Sequence, residues 1–303
     1  MPSTPPCSPI RSRHALAAGL LSLAALLAPA ASRADATELR ASHAQLRDQL
    51  RPNAHGHALH IDSVEQQDRL TGDVFAVLDH PFAKVSAALR EPANWCDILI
   101  LPFNTKSCHV QNAGGDTALL VRIGRKYDQP PEQAYRLQFG WRSAASQPDY
   151  FETRLQAADG PVGTRDYRIQ VSATPIEGGR TFLRLNYSYG FGFSGRMAMQ
   201  AYLGTVGADK VGFTVTGRDR DGQPQYIRGV RGAIERTSMR YYLAIDAYLQ
   251  AASAPAPQQL ERRLQAWFDS SERYPRQLHE MDRSTYLSMK RHEVERQQTA
   301  LRD

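Results

Sequence analysis

The chain has 303 residues, of which 42% are hydrophobic and 22% are charged. This length allows roughly two domains at most, and the composition supports a packed core, which excludes a wholly disordered, collagen-like or coiled-coil chain. Lysine and arginine number 37 against 31 aspartate and glutamate residues, giving a formal charge of +6. This excess is scattered and does not by itself indicate nucleic acid or membrane as a partner.

The N-terminus has the pattern of a secretory signal. Arg11 and Arg13 precede an apolar run at residues 15–28, and Ala34-Asp35-Ala36 has the small residues of a cleavage site. An uncleaved membrane anchor is the alternative, but the run is shorter than the about 20 residues that a bilayer span needs. We therefore expect residues 1–36 to be a signal peptide and the mature protein to be periplasmic or secreted.

Signal cleavage removes Cys7 and leaves Cys96 and Cys108 as the cysteines of the mature chain. Two cysteines in an oxidising compartment most simply form a disulfide. Such a bridge closes a short loop and would stabilise the fold by about 3 kcal/mol. Two buried free thiols are the alternative.

The first part of the mature chain predicts helices and strands in turn. A polar helix is expected within an N-terminal segment at residues 37–54, and strands follow at 59–65 and 70–78. Phe82, Val85 and Leu89 recur at helical spacing after Pro81, which suits the first turn of a helix. A second short helix is predicted at residues 95–101, before Pro102.

Six further segments have the pattern of strands joined by hairpin turns. Leu137, Phe139 and Trp141, for example, alternate with Arg136 and Gln138. Alternation with one polar face predicts an antiparallel sheet that is covered on one side only. The predicted strands span residues 103–111, 118–127, 135–141, 150–157, 166–171 and 183–193.

The rest of the chain predicts a closing helix and a charged tail. A short helix or lid is expected at residues 195–202, a hairpin at 211–228 and a long helix at 229–250. Residues 251–257 have the composition of a linker, and residues 258–303 predict two weakly amphipathic helices. The pair Trp267-Phe268 would either pack against the body or dock on a partner protein or a membrane surface.

Three local patterns accompany this order of elements. They are Asp79-His80-Pro81-Phe82, Glu91-Pro92-Ala93-Asn94-Trp95 and Tyr241-Tyr242-Leu243-Ala244. Together with the order of elements, they resemble the START-like, helix-grip (SRPBCC) superfamily over residues 55–250. The resemblance implies an α+β fold in which a curved antiparallel sheet wraps around a long C-terminal helix and leaves an apolar cavity. It also implies a hydrophobic ligand, although some members catalyse cyclisation or hydrolysis.

The resemblance makes the large residues of the inner sheet face and closing helix candidates for the cavity wall, with the same residues filling a solid core as the alternative. Arg125 shares strand parity with Val121 and Ile123, so it could hold a carboxylate or phosphate headgroup or extend to solvent at the sheet rim. The candidate ligand-binding residues are Trp95, Arg125, Leu137, Phe139, Trp141, Tyr187, Tyr189, Tyr241 and Tyr248.

Motifs for catalysis or cofactors are absent from the sequence. His55, His57 and His60 lack an acidic or cysteine partner at a metal-binding spacing, and Asp219-Arg220-Asp221-Gly222 predicts a hairpin turn rather than a calcium loop. Glu65, Asp97 and His109 could act as acid or base only if a pocket brought them together. We expect no cofactor, no metal and no nucleic-acid partner.

The sequence thus predicts an exported protein that binds, and could transport, a lipid or other hydrophobic small molecule. A cavity enzyme of the same fold, a cyclase or hydrolase, is one alternative. An interaction protein that acts through its helical tail is the other.

Overall fold

The computed structural model describes residues 28–51, 57–205 and 207–299, besides Met1. The apolar run of the predicted signal at residues 15–27, Cys7 and His55 lie outside these residues. Across the described ranges, no helix is both long and apolar enough to span a membrane.

Within the described residues, eight strands form one antiparallel sheet in the order β1-β2-β8-β7-β6-β5-β4-β3. Register shifts interrupt the pairing of β3 with β4, β5 with β6 and β7 with β8, and such bulges bend a sheet. The strands are β1 (Leu59–Glu65), β2 (Arg69–Leu78), β3 (Thr105–Ala113), β4 (Asp116–Ile123), β5 (Tyr135–Gln147), β6 (Tyr150–Asp159), β7 (Thr164–Ile176) and β8 (Arg180–Phe191).

A small hairpin and a set of helices complete the fold. The hairpin strands are β9 (Val215–Arg218) and β10 (Pro224–Tyr226). The helices are α1 (Ala28–Gln45), α2 (Phe82–Leu89), α3 (Pro92–Leu99), α4 (Phe193–Leu203), α5 (Gly229–Ala251), α6 (Ala256–Glu272), α7 (Pro275–Leu278) and α8 (Arg283–Thr299).

Helix α5 packs along the inner face of the sheet, against β1, β2 and β8. Ile234 and Ile245 of this helix are fully buried. The helix approaches β2 most closely at Gly72, where a Cβ atom would lie 2.5 Å from Ser238 Oγ. The curved antiparallel sheet around this long helix confirms the predicted α+β helix-grip fold.

The short helices α2 and α3 are fixed to the sheet by hydrogen bonds and by the predicted disulfide. Trp95 Nε1 and Thr153 Oγ1 both donate to the carbonyl of Leu89, at 2.8 Å and 2.9 Å. The bridge between Cys96 and Cys108 joins α3 to β3, which confirms the predicted pairing.

The sheet is covered on both faces in part, which corrects the expectation of a single covered face. Leu39 of α1 is buried in a second apolar cluster with Phe182, and Phe75 and Val77 pack against it. These β2 residues have the parity opposite to Val74 and Ala76, so both faces of this strand are apolar. The outer face is therefore covered by helix α1 at this edge of the sheet.

The C-terminal helices pack on the body. Trp267 and Tyr286 are fully buried, and their rings meet Phe103 at centroid distances of 4.9 Å and 5.3 Å. Trp267 Nε1 also donates to the carbonyl of Arg240 on α5. Trp267 and Phe268 are thus buried rather than available for a partner or a membrane, and residues 252–255 form only a short connection between two packed helices.

Three buried charged side chains form ion pairs between α8 and the start of β3. Lys106, Lys290 and Glu293 are each fully buried. The Glu293 carboxylate accepts from Lys106 Nζ at 2.7 Å and from Lys290 Nζ at 2.5 Å. We call these three residues the buried triad.

Candidate functional site

A cavity of about 750 Å³ lies between α5 and the sheet strands β7 and β8. Helix α4 closes one side, and the loops that follow α3 and β4 close another. This volume lies within the range of about 300–1,000 Å³ that is usual for small-molecule sites. The helix and the sheet are therefore separated here by a space large enough for a ligand.

Tyrosine rings form one wall of the cavity. Tyr167 of β7 and Tyr189 of β8 stack with centroids 5.2 Å apart, and Tyr241 of α5 faces them. Tyr187 lies behind this wall and meets Tyr241 edge to face at 5.2 Å. Burial raises the pKa of Tyr167, Tyr189 and Tyr241, so these hydroxyls stay neutral and the wall is uncharged.

The side under α4 is apolar and reaches the surface. Ala198 and Met199 of α4 line it, and Met199 Sδ lies 3.8 Å from the Tyr189 hydroxyl. The turn between β6 and β7 adds Val162, which is 48% exposed. Tyr127, another lining residue, is exposed as well, so the cavity reaches solvent at these residues.

One end of the cavity is charged. Glu280 accepts from Lys126 Nζ and from an Arg240 amino group, both at 2.6 Å. Burial opposes ionisation of Glu280, but Arg240 and Lys126 outweigh it and hold the pKa of this carboxyl below its ordinary value. Arg236 and Arg125 line the same end, Arg236 buried and Arg125 exposed at the rim.

Three of the predicted ligand-binding residues line this cavity: Arg125, Tyr189 and Tyr241. Arg125 does so for a different reason from the predicted strand parity, because β4 ends at Ile123. The backbone turns after that residue, where Gly124 N donates to the Asn104 carbonyl and Arg125 N donates to the Gln129 side chain. The Arg125 guanidinium then contacts the Tyr127 hydroxyl.

The other six predicted residues are packed in or against the core instead of lining the cavity. Strand alternation marks the inner face but not the part of that face that α5 and α3 leave uncovered. Tyr248 lies near the C-terminal end of α5, where the Arg263 guanidinium is 4.5 Å from the centroid of its ring. These six residues are Trp95, Leu137, Phe139, Trp141, Tyr187 and Tyr248.

Sequence reasoning missed Lys126, Arg236, Arg240 and Glu280. Arg236 and Arg240 are four residues apart, hence on one side of α5, next to Thr237 and Tyr241, so helical spacing could have found them. Nothing in the sequence indicates Glu280, because only the packing of the C-terminal helices brings it to the cavity.

The described residues that could act as acid or base are not brought together at the cavity. Glu65, Asp97 and His109 are absent from the cavity wall, and Asp97 instead pairs with Arg263 at 2.7 Å. No group of three or more potential His, Cys, Asp or Glu ligands occurs in the described ranges. Asp219 Oδ1 accepts from the backbone N–H groups of Asp221 and Gln223, as expected of a turn.

No family model and no curated protein matches the sequence. Solved structures that it is similar to include norcoclaurine synthase from Thalictrum flavum, at 11% identity and a TM-score of 0.33 over 49% of this chain and 91% of that one. Ara h 8.0201 is 9% identical with a TM-score of 0.34, over 64% of this chain and 99% of that one.

Human StAR-related lipid transfer protein 5 is 8% identical with a TM-score of 0.30, over 57% of this chain and 90% of that one. Likenesses of this size carry no conclusion about activity or ligand. By its own topology, a curved antiparallel sheet closed by a long helix, the chain has the helix-grip fold that its order of elements predicted.

Proposed function

We propose that this protein binds a hydrophobic small molecule or lipid in the cavity between α5 and the sheet. The observation that carries the proposal is the cavity of about 750 Å³ with a neutral tyrosine wall and an apolar side under α4. Each 100 Å² of apolar ligand surface removed from water contributes about 2.5 kcal/mol, before the cost of ordering ligand and protein. A wall of this composition favours such a ligand over a fully polar one.

We propose a binding protein rather than an enzyme on the basis of the titratable groups in the cavity wall. The tyrosines Tyr167, Tyr189 and Tyr241 have raised pKa values and are poor bases. Glu280 is the carboxylate of the lining, and its lowered pKa and two close cationic partners make it a poor proton donor or acceptor. The described lining residues include no histidine and no carboxyl group with a raised pKa, either of which cyclisation or hydrolysis would use as its acid or base.

Binding is tested by native mass spectrometry of protein purified without detergent, followed by extraction and identification of any bound molecule. The variant Ala198→Trp places an indole in the cavity from α4, and we expect it to lose the bound molecule. Ala201→Trp is the matched control, because Ala201 lies on the same helix but is exposed and outside the cavity wall. Retention of the molecule by Ala198→Trp would place it elsewhere and contradict the proposal.

We propose further that the protein is exported and works in an oxidising compartment, where it could carry its ligand through water. The signal-like N-terminus and the disulfide between Cys96 and Cys108 support this. Expression of the full chain in a bacterium and intact-mass analysis of the periplasmic fraction test it. We expect a chain that begins at Thr37 and lacks two thiol hydrogens. A full-length chain confined to the cytoplasm would contradict export.

A further inference from the structure

The charged end of the cavity has an excess of positive charge. Among the described residues that line it, four side chains are cationic and Glu280 is the one carboxylate. The cations are Arg125, Lys126, Arg236 and Arg240. Lys210 lies outside the lining but adds a further cation 3.8 Å from Glu280. One carboxylate therefore faces more cations than it can neutralise.

Arg236 has only neutral partners. It is 3% exposed, yet its guanidinium donates to the Val211 carbonyl at 3.2 Å and the Tyr202 hydroxyl at 3.4 Å. No ion-pair partner for it occurs in the described part of the chain. Because a buried charge without a counter-charge is costly, a protein rarely keeps one that serves no ligand or partner.

Arg240 also has unused hydrogen-bonding capacity. One of its amino groups donates to Glu280, but its Nε is buried and has no hydrogen-bond partner among the described residues. Burial and the nearby Arg240 lower the pKa of Lys126, as expected where positive charges are crowded. The buried guanidinium of Arg236 and the mostly buried one of Arg240, one helical turn apart on α5, thus offer donors beside an apolar cavity.

We infer that the ligand of this cavity is an amphiphile with an oxyanion, a carboxylate or a phosphate, which Arg236 and Arg240 bind while its apolar part lies against the tyrosine wall. This inference rests on the proposed function and specifies its ligand class. Arginine suits this task because its planar group donates two parallel hydrogen bonds to carboxylate or phosphate oxygens.

The geometry of α5 fits such a ligand. Arg236 lies at one edge of the helix face that lines the cavity, Arg240 lies next to it towards the middle, and Tyr241 lies at the other edge. Arg125 at the rim adds a cation on the solvent side. Glu280 already forms ion pairs with Arg240 and Lys126. A bound oxyanion would therefore compete with the Glu280 carboxylate for these two cations.

Matched probes test the charge of the ligand separately from its apolar part. Calorimetric titrations with dodecanoate, dodecyl phosphate, dodecanol and dodecyltrimethylammonium compare head groups on one chain, with the ionic probes below their micelle concentrations and dodecanol below its solubility limit. We expect at least one of the anionic probes to bind at least about tenfold more tightly than dodecanol, and the cationic probe to bind most weakly. Titration with inorganic phosphate tests whether the site binds an anion that has no apolar chain. We expect phosphate to bind far more weakly than the anionic dodecyl probes.

Variants then assign the preference to the two arginines. Arg236→Gln and Arg240→Gln should each weaken the anionic probes about 10- to 100-fold and leave dodecanol unchanged. Arg263→Gln is the matched control: this arginine is also buried but lies outside the cavity, against Tyr248. Glu280→Gln should tighten the anionic probes, because it removes the competing carboxylate.

The outcomes separate this inference from the proposed function. Equal affinity for anionic probes and dodecanol, or an anion preference that survives both arginine substitutions, would overturn the oxyanion inference while the hydrophobic site stands. Inorganic phosphate bound as tightly as the anionic probes would overturn it as well. Failure of all four dodecyl probes to bind would instead count against the proposed function itself.

Discussion

At the scale of single residues, the buried triad brings three charged side chains together away from water. Glu293 is the shared partner of Lys106 and Lys290, and all three side chains are fully buried. The two ammonium groups also donate to backbone carbonyls, Lys106 to Phe103 and Tyr127 and Lys290 to Pro102 and Thr105. The triad therefore links α8 to the segment from Pro102 to Lys106.

We predict that Glu293→Gln lowers the free energy of unfolding by about 3 to 5 kcal/mol, since it leaves two buried ammonium groups without a counter-charge. Urea unfolding followed by circular dichroism measures the change. Glu295→Gln, an exposed position on the same helix, is the control and should change stability by no more than about 0.5 kcal/mol. Equal effects of the two substitutions would show that the triad contributes no more to the free energy of unfolding than an exposed carboxylate does.

The triad also predicts how stability depends on pH. Burial lowers the pKa of Lys290 from 10.5 to about 8, against the opposing attraction of Glu293. Between these values the unfolded chain holds a proton that the folded chain has lost, so the free energy of unfolding rises with pH through this range. Above about pH 10 the buried tyrosines, whose pKa values are raised, reverse the trend.

We therefore expect the urea midpoint of the wild-type protein to rise from pH 8 to pH 10. In Lys290→Met this rise should be smaller, because the titrating group has been removed. Parallel pH profiles for the two proteins would contradict the assignment of this rise to Lys290.

At the scale of secondary-structure elements, the approach of α5 to β2 depends on Gly72. A Cβ atom there would lie 2.5 Å from Ser238 Oγ and 3.2 Å from Ile234 Cγ1. We predict that Gly72→Val lowers the free energy of unfolding by about 1 to 3 kcal/mol, because the helix must move away from the sheet. Chemical denaturation is the measurement, and Ser238→Ala in the same chain should recover part of the loss.

Gly140 provides the matched control for this prediction. It also lies within a strand, but its nearest neighbour would be 3.8 Å from an added Cβ atom, so Gly140→Val should be tolerated. If Gly140→Val were as costly as Gly72→Val, loss of glycine in a strand would explain the effect and the close helix approach would not.

The type and order of most elements could be predicted because their residues repeat with the period of a strand or helix. Strand β1 and helix α5 show this: their observed bounds agree with the predicted 59–65 and 229–250 to within a residue. The end of β4 could not be predicted from alternation. The backbone N–H groups of Gly124 and Arg125 leave the strand pairing and donate to the Asn104 carbonyl and the Gln129 side chain, and no repeating pattern marks these partners.

The candidate site was only partly predictable for a related reason. Periodicity finds the inward face of a strand, so it found Tyr189 as well as Phe139. Only the placement of the helices on the sheet decides that Tyr189 lines the cavity while Phe139 is covered. The charged end depends on a contact between Arg240 and Glu280 across 40 residues, which no local pattern encodes.

At the scale of the whole molecule, the C-terminal helices belong to the same packed core as the sheet. Trp267 and Tyr286 enclose Phe103, whose backbone begins the approach to β3. Glu280 lies in the cavity wall, and Glu293 neutralises charge on Lys106 of β3. The apolar core, the cavity and the buried triad therefore all extend across the boundary that composition places at residues 251–257.

This continuity predicts the effect of removing the C-terminal helices. A chain that ends at Ala254 exposes Phe103 and leaves Lys106 without its carboxylate partner, so we expect it to lose the cooperative thermal unfolding of the full chain. Differential scanning calorimetry measures this. Because the contacts are non-covalent, co-expression of residues 255–303 as a separate chain should restore the transition. A truncated chain that unfolds cooperatively at the wild-type temperature would instead make the tail an independent appendage, as an interaction protein acting through its tail would require.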